Sequence, residues 1–88
     1  SEIEYLNQGK VAYLALSFLD FQKYSVDPEA SRDVIDTMMN VKDVEIAVLF
    51  RQESESKIKI SLRSKGRYEV LSLAELWGGG GHLYAAGA

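Results

Sequence analysis

Four successive glycines followed at once by the only histidine form the most unusual stretch of this sequence, at positions 78–82. Glycine loses more backbone freedom on folding than any other residue, at about 0.5–1 kcal/mol relative to alanine inside a regular element. Consecutive glycines can turn several amide N–H groups toward one concavity, and such backbone nests bind anions. The ring of His82 adds a hydrogen-bond donor. We therefore interpret Gly79, Gly80, Gly81 and His82 as a candidate anion-binding loop.

A second candidate feature is the alternation of apolar and polar side chains over residues 57–65, which predicts a β-strand. Three apolar residues are predicted to face the core: Ile58, Ile60 and Leu62. The opposite face then carries a row of mostly basic side chains about 6.6 Å apart: Lys57, Lys59, Ser61, Arg63 and Lys65. Arginine holds a phosphate or carboxylate through two parallel hydrogen bonds, so Arg63 and Lys65 are predicted to supply the counter-charge for an anion at the glycine loop.

Taken alone, these residues leave ordinary structural alternatives open. Glycine runs also serve as flexible connections, a lone histidine is often a polar surface residue, and an alternating lysine strand is often the wet face of a sheet. No Lys-Ser or Lys-Thr follows the glycines, and no strand directly precedes them. The run is therefore neither a P-loop nor a dinucleotide-binding fingerprint.

The length and composition of the sequence predict one small domain over residues 1–88. The composition, 47% hydrophobic and 26% charged, is that of an ordinary globular protein. No apolar run approaches the ~20 residues needed to span a bilayer and no secretory signal is recognisable, so we expect a cytoplasmic protein without a membrane partner. The absence of cysteine excludes disulfides and thiolate chemistry. Residues 1–50 carry four basic and nine acidic residues, whereas residues 51–88 carry six basic and four acidic ones. This bias is suited to a small phosphorylated ligand rather than to coating a duplex.

The strands that must position the site are visible as apolar segments. Residues 3–6 and 11–16 flank a polar connection containing Gly9, which predicts a β-hairpin. The second arm is apolar on both faces, so we expect an interior strand. Residues 44–50 are also apolar on both faces, which predicts a central strand.

Three helices are predicted around these strands. Ser17 caps a short helix over residues 17–24, and Asp27 with Pro28 begins a second helix that ends near Met39. Its apolar face comprises Ala30, Val34, Ile35, Met38 and Met39, with an Arg32–Asp36 pair outside. A third helix covers residues 68–77 and ends where Gly78 suits a left-handed C-cap. Its inward residues are predicted to be Val70, Leu73, Ala74 and Trp77.

This order of elements predicts an α+β fold: a mainly antiparallel or mixed sheet of four to five strands, with helices packed on one face. The same residues resemble a known family. Ser61-Leu62-Arg63-Ser64-Lys65, then Leu73-Ala74-Glu75, then the glycines with His82 and finally Ala85-Ala86-Gly87 look like the substrate-binding (DHH-associated) domain of the DHH phosphoesterases. The similar branch is that of the nanoRNase and pAp-phosphatase enzymes.

The resemblance implies a two-lobed hydrolase in which a larger lobe holds two manganese ions and this smaller lobe holds the nucleotide. It implies that Gly79, Gly80, Gly81 and His82 grip phosphate or sugar, and that Ser61 and Arg63 help to fix the nucleotide. The expected partners are pAp and short RNA oligonucleotides, and a homodimer of the parent protein is compatible with the family. The Asp-His-His motif is missing from the sequence, so we expect no catalytic residue, no bound metal and no hydrolysis by this chain alone. The chain also stops earlier than the family usually does.

Two other interpretations remain open. The chain resembles, more distantly, a lobe of a cyclic-dinucleotide phosphodiesterase or of a tRNA-editing protein. A non-catalytic regulatory module that binds a small anion is also consistent with the residues.

Overall fold

The computed structural model describes residues 2–20 and 28–88, which form one six-stranded sheet flanked by helices. The strands are β1 (Glu4–Leu6), β2 (Val11–Leu16), β3 (Ile46–Gln52), β4 (Ile58–Ser64), β5 (Gly80–His82) and β6 (Ala85–Gly87). Two helices lie wholly within the described residues, α1 (Pro28–Met39) and α2 (Leu71–Leu76). None of the helices described there is long and apolar enough to cross a membrane.

The sheet is mixed, with the order β1-β2-β3-β4-β6-β5. Strands β2 and β3 are parallel because α1 lies in the crossover between them, and every other neighbouring pair is antiparallel. The predicted α+β class and the mixed sheet are confirmed. The strand number is six rather than four or five, because the end of the glycine run forms β5 and the Ala-Ala-Gly segment after it forms β6.

The β1–β2 hairpin is confirmed together with the interior position of β2. Asn7, Gln8 and Gly9 all have positive φ, at 52°, 60° and 85°. The N–H of Gly9 donates to the carbonyl oxygen of Leu6 at 3.2 Å, which closes the turn. A polar connection of this kind supplies the left-handed backbone that a tight hairpin requires.

The predicted serine cap is also confirmed at the first turn after β2. The Ser17 N–H donates to Asp20 Oδ2 at 3.0 Å, and the Asp20 N–H donates to Ser17 Oγ at 3.2 Å. These reciprocal bonds satisfy two amides at the start of the helical residues 18–20. The rest of the helix predicted over residues 17–24, and the Asp27 cap, lie outside the described residues.

One face of the sheet is covered by α1. Ile35 and Met38 are buried against Ala12 and Leu14 of β2 and against β3, where Ala47 and Leu49 point the same way. The helix ends at Met39 as predicted, and its outer residues Arg32, Asp33 and Asp36 are exposed.

The opposite face is covered by α2, so the prediction that the helices share one face is wrong. Val70 and Ala74 are buried against Leu62, with Ile46 and Val48 partly buried beside them. Successive side chains of a strand point to opposite faces, so the apolar residues on both sides of β3 each need a cover.

Helix α2 is shorter than predicted, and only its inner turn reaches the sheet. Val70 and Ala74 are four residues apart and buried, whereas Leu73 and Trp77 are exposed rather than inward. Leu73 and Trp77 lie outside the apolar stripe of this short helix that faces β4.

Candidate functional site

The basic face of β4 forms one wall of the site. Lys59, Ser61 and Arg63 lie on the face that α1 covers. The cross-strand partners of Ser61 and Arg63 are small or apolar, whereas Lys59 lies opposite Arg51 of β3. Leu62 points the other way and is buried, as predicted, but Ile58 is 60% exposed because it begins the strand beyond α2. Alternation along β4 therefore places three polar side chains on the face of the sheet that α1 covers.

The glycine run begins with a helix stop. Gly78 has φ 78°, and its N–H donates to the carbonyl oxygen of Glu75 at 3.1 Å. The Gly79 N–H donates to the carbonyl oxygen of Ala74 at 2.9 Å. These two bonds form a Schellman motif after the C-cap residue Trp77, which confirms the predicted left-handed C-cap.

The next glycines form an edge strand rather than the predicted open loop. Gly80, Gly81 and His82 pair with β6, and the two strands are joined by a two-residue turn. The Gly79 N–H already donates to the carbonyl oxygen of Ala74, so it is not available to an anion in this structure. The hairpin forms because Gly81 has φ 135° and its backbone lies close to β6.

A cavity of about 300 Å³ lies between this hairpin, β4 and α1. Its floor is made of small residues of β6, Ala85 and Gly87, which lie between the basic strand and Gly80. Among the residues that the structure describes, four cationic side chains and no carboxylate line it: Arg32, Arg51, Lys59 and Arg63. The size falls at the lower end of small-molecule sites, and the charge favours an anion.

Arg63 is held at the rim of this cavity. Its Nη1 donates to Asp36 Oδ1 of α1 at 2.8 Å, and both side chains are partly exposed. The structure thus joins Asp36 to Arg63 rather than to Arg32, which was the predicted partner. A guanidinium has five N–H donors, so one bond to Asp36 leaves it able to bind a phosphate as well.

Arg51, which the sequence-based reasoning missed, lies at the other end of the cavity. Its Nη1 donates to the buried Ser31 Oγ at 2.6 Å, and its Nη2 donates to Glu53 Oε1 at 3.1 Å. The available signal was the alternation of β3, which continues from Ala47 and Leu49 to Arg51 on the same face.

The predicted site residues are only partly brought together. Ser61, Arg63, Gly80 and Gly81 line the cavity. His82 is exposed on the same face, in register with Ala85 and Arg63, about two strand spacings or roughly 10 Å from Arg63.

Two predicted residues lie elsewhere. Lys65 is not at the cavity, since its Nζ donates to the carbonyl oxygens of Val41 and Lys42 at 3.0 and 3.3 Å. Gly79 lies at the helix stop, where a Cβ would overlap the carbonyl oxygen of Gly87. Whether these two residues bind ligand stays a prediction.

The residues described contain no group of three His, Cys, Asp or Glu side chains arranged to hold a metal ion.

Glu53 has a perturbed pKa at the Arg51 end of the cavity. Burial alone would raise it, but the hydrogen bond from Arg51 and the charges of Lys57, Arg51 and Lys59 together outweigh burial. The pKa of Glu53 is lowered below its ordinary value of 4.5. The carboxylate therefore stabilises the fold above pH 4.5, and this contribution is lost as the pH falls through the lowered pKa.

Glu53→Gln is expected to reduce stability only where the carboxylate is charged. At pH 7 the free energy of unfolding should fall by about 0.5 kcal/mol, a value typical of partly exposed pairs, and the difference from wild type should shrink toward pH 3. Urea denaturation at both pH values measures this. Equal destabilisation at pH 7 and pH 3 would show that the effect is not electrostatic.

The architecture defines a small α+β domain with a cationic cavity beside a glycine-rich hairpin. Residues 8–88 match the family model described as the DHHA1 domain, so the chain belongs to the DHHA1 domain family. No curated protein matches the chain.

A solved structure supports this assignment. The crystal structure of an exopolyphosphatase-related protein from Bacteroides fragilis matches 98% of the chain with a TM-score of 0.83 and 29% sequence identity. The chain spans 25% of that protein's length. The family and the likeness together identify the fold as that of an accessory domain in DHH-family proteins.

Proposed function

We propose that this chain is the substrate-binding lobe of a manganese-dependent DHH-family phosphoesterase that acts on pAp and very short RNA. Its role is to hold the phosphorylated part of the nucleotide while a separate catalytic lobe hydrolyses the ester. The manganese ions would belong to that lobe and would activate water there, because the described residues here offer no metal-ligand set.

The observation that carries the proposal is the placement of Arg63 and Ser61 opposite Gly80 across a floor of small side chains. A phosphate at this end would accept hydrogen bonds from the Arg63 guanidinium and the Ser61 hydroxyl. Asp36 fixes Arg63 at one nitrogen, which reduces the entropy lost on binding.

Gly80 supplies the opposite wall. A Cβ built at Gly80 would meet nothing within 4 Å, so packing does not require glycine there. The absence of a side chain instead keeps the cavity open toward β5. His82 lies farther along the same row, where its ring nitrogens would donate to a second oxygen or to the sugar.

Polyphosphate is the second candidate ligand, because the matched Bacteroides fragilis protein is described as exopolyphosphatase-related. Both candidates present phosphate groups to the same cations. They differ in whether a nucleoside contributes to binding, so a comparison of pAp with inorganic tripolyphosphate separates them.

Titration of the 88-residue chain with pAp is expected to shift the amide resonances of Gly80 and Gly81, the ring resonances of His82 and the side-chain Nε–H of Arg63. These groups surround the proposed phosphate position. Two-dimensional NMR at constant ionic strength measures the shifts, and the resonances of α2 residues serve as internal controls. If the shifts are confined to α2 or do not saturate, the site assignment is wrong.

A further inference from the structure

A second cationic group is built into the end of the cavity away from Arg63. The Arg51 side chain is only 11% exposed, and the Ser31 residue that accepts its Nη1–H is 6% exposed. The Ser31 Oγ–Arg51 Nη1 distance is 2.6 Å, and Glu53 Oε1 lies 3.1 Å from Nη2. Ser31 belongs to α1, Arg51 to β3 and Glu53 to the loop after β3. The guanidinium is therefore held from two sides.

The alternation along β3 would by itself place an apolar side chain at this position. Arg51 follows Ala47 and Leu49 on the face that α1 covers, where apolar side chains make the core. Taking a guanidinium out of water is costly, and apolar residues of similar volume commonly stabilise such a position equally well or better. A buried serine that holds the arginine at the lining of a cavity is therefore better explained by a ligand than by packing.

Other charged side chains lie around Arg51. Glu53 is the acceptor for Arg51 and also lies 3.6 Å from Lys57 Nζ. Lys59 lines the cavity beside Arg51, and its positive charge acts on the same carboxylate. The positive charges of Arg51 and Lys59 at this end of the cavity would attract an anionic group.

We infer that Arg51 and Lys59 form a second anion-binding subsite, which takes a second phosphate group of an elongated ligand whose first phosphate binds at Arg63. Lys59 and Arg63 are four residues apart on β4, about 13 Å between their Cα atoms. Ser61 lies between them and contacts the connecting part of the ligand. The inference rests on the proposed function for the first phosphate position and specifies a ligand with at least two separated anionic groups.

Lys59→Ala tests this subsite in the 88-residue chain, with Lys57→Ala as the matched control. Both changes remove one exposed lysine charge, but only Lys59 lines the cavity. Affinity is measured by NMR titration at about 0.1 M salt for three probes: inorganic phosphate, inorganic tripolyphosphate and a 5′-phosphorylated dinucleotide. At that salt the screening length is about 10 Å, so loss of the Lys59 charge should hardly affect a phosphate at Arg63.

Lys59→Ala is expected to weaken binding of at least one elongated probe about tenfold and to leave inorganic phosphate within twofold. Lys57→Ala should leave all three probes within twofold. A response with the dinucleotide alone identifies a nucleic-acid ligand, and a response with tripolyphosphate identifies a polyphosphate. Both outcomes support the subsite. Equal losses for the two lysine variants, or an equal loss for inorganic phosphate, would overturn it.

Ser31→Ala provides a test that changes no charge. Loss of the hydroxyl frees Arg51 from α1, so affinity for the same elongated probe should fall about threefold while inorganic phosphate binding is retained. Unchanged affinity would show that Arg51 need not be oriented and would contradict this inference. If no probe shifts Gly80 or His82 in the wild-type chain, the proposed function itself fails. If phosphate shifts them but Lys59→Ala is silent, only the second subsite fails.

Discussion

Gly81→Ala lowers the free energy of unfolding by about 3 kcal/mol or more. Gly81 has φ 135°, a conformation that side-chain-bearing residues rarely adopt, and such strain costs about 1–3 kcal/mol. A Cβ there would also lie 2.7 Å from the carbonyl oxygen of Ala85 and 2.8 Å from the Cα of Ala86. Overpacking of this kind costs about 1–3 kcal/mol more.

The colliding backbone cannot easily retreat, because β6 is bonded on its other side to β4. The Ser64 N–H donates to the carbonyl oxygen of Tyr84 at 2.8 Å, and the Ala88 N–H donates to that of Ile60 at 2.9 Å. Relief of the clash would lengthen these bonds and open the cavity floor. The cost should therefore appear as lost stability rather than as a local adjustment.

Gly80→Ala is the matched control, one residue earlier in the same strand. A Cβ at Gly80 meets nothing within 4 Å, and its φ is not positive, so stability should change by less than about 1 kcal/mol. Urea denaturation followed by circular dichroism measures both variants. Similar midpoints for Gly80→Ala and Gly81→Ala would contradict the packing account of this hairpin.

The four glycines therefore have different explanations. Gly78 ends α2 with a left-handed residue, and Gly79 and Gly81 lie too close to the β6 backbone to carry a side chain. Only Gly80 is free of such demands, and it faces the cavity. The sequence-based hypothesis treated Gly79, Gly80 and Gly81 as equal ligand contacts. In the structure, packing explains the glycine at two of these positions but not at Gly80.

Local patterns predicted most of the fold. The hairpin at Gly9, the interior strands, the end of α1 and the α+β class follow from short-range alternation, capping and turn chemistry. The pairing of β5 with β6 could not be predicted in this way. Glycine has low strand propensity, and its strand forms here because the β6 backbone approaches it closely.

The placement of the candidate site residues could be predicted where it depends on one strand, but not where it depends on contact between two elements. Alternation along β4 placed Ser61 and Arg63 on one face, as the structure shows. Arg51 could not be predicted as a site residue, because its position depends on a hydrogen bond to Ser31. Ser31 is distant in sequence and comes close only through the packing of α1. Lys65 is predicted on the same strand face as Arg63. Its ammonium group instead donates to two backbone carbonyl groups in the segment after α1, and it therefore lies away from the cavity.

Arg63→Gln is expected to weaken binding of pAp or of inorganic phosphate by about 10- to 100-fold. A charge-assisted hydrogen bond contributes about 1.5–3 kcal/mol, and glutamine keeps much of the side-chain volume while losing the charge. The Arg63–Asp36 pair is partly exposed, so its loss should cost no more than about 1 kcal/mol of stability. A large loss of affinity with nearly unchanged stability would therefore report a ligand contact.

Two further substitutions make the result specific to Arg63. Arg67→Gln removes the same charge at an exposed position outside the cavity, and it should change affinity less than twofold. Lys65→Gln tests the sequence-based hypothesis directly, since Lys65 lies on the same strand face but donates to Val41 and Lys42. If Lys65→Gln weakens phosphate binding as much as Arg63→Gln does, the ligand lies at the end of β4 and not in the cavity. If Arg63→Gln weakens it and neither Lys65→Gln nor Arg67→Gln does, the phosphate lies in the cavity at Arg63.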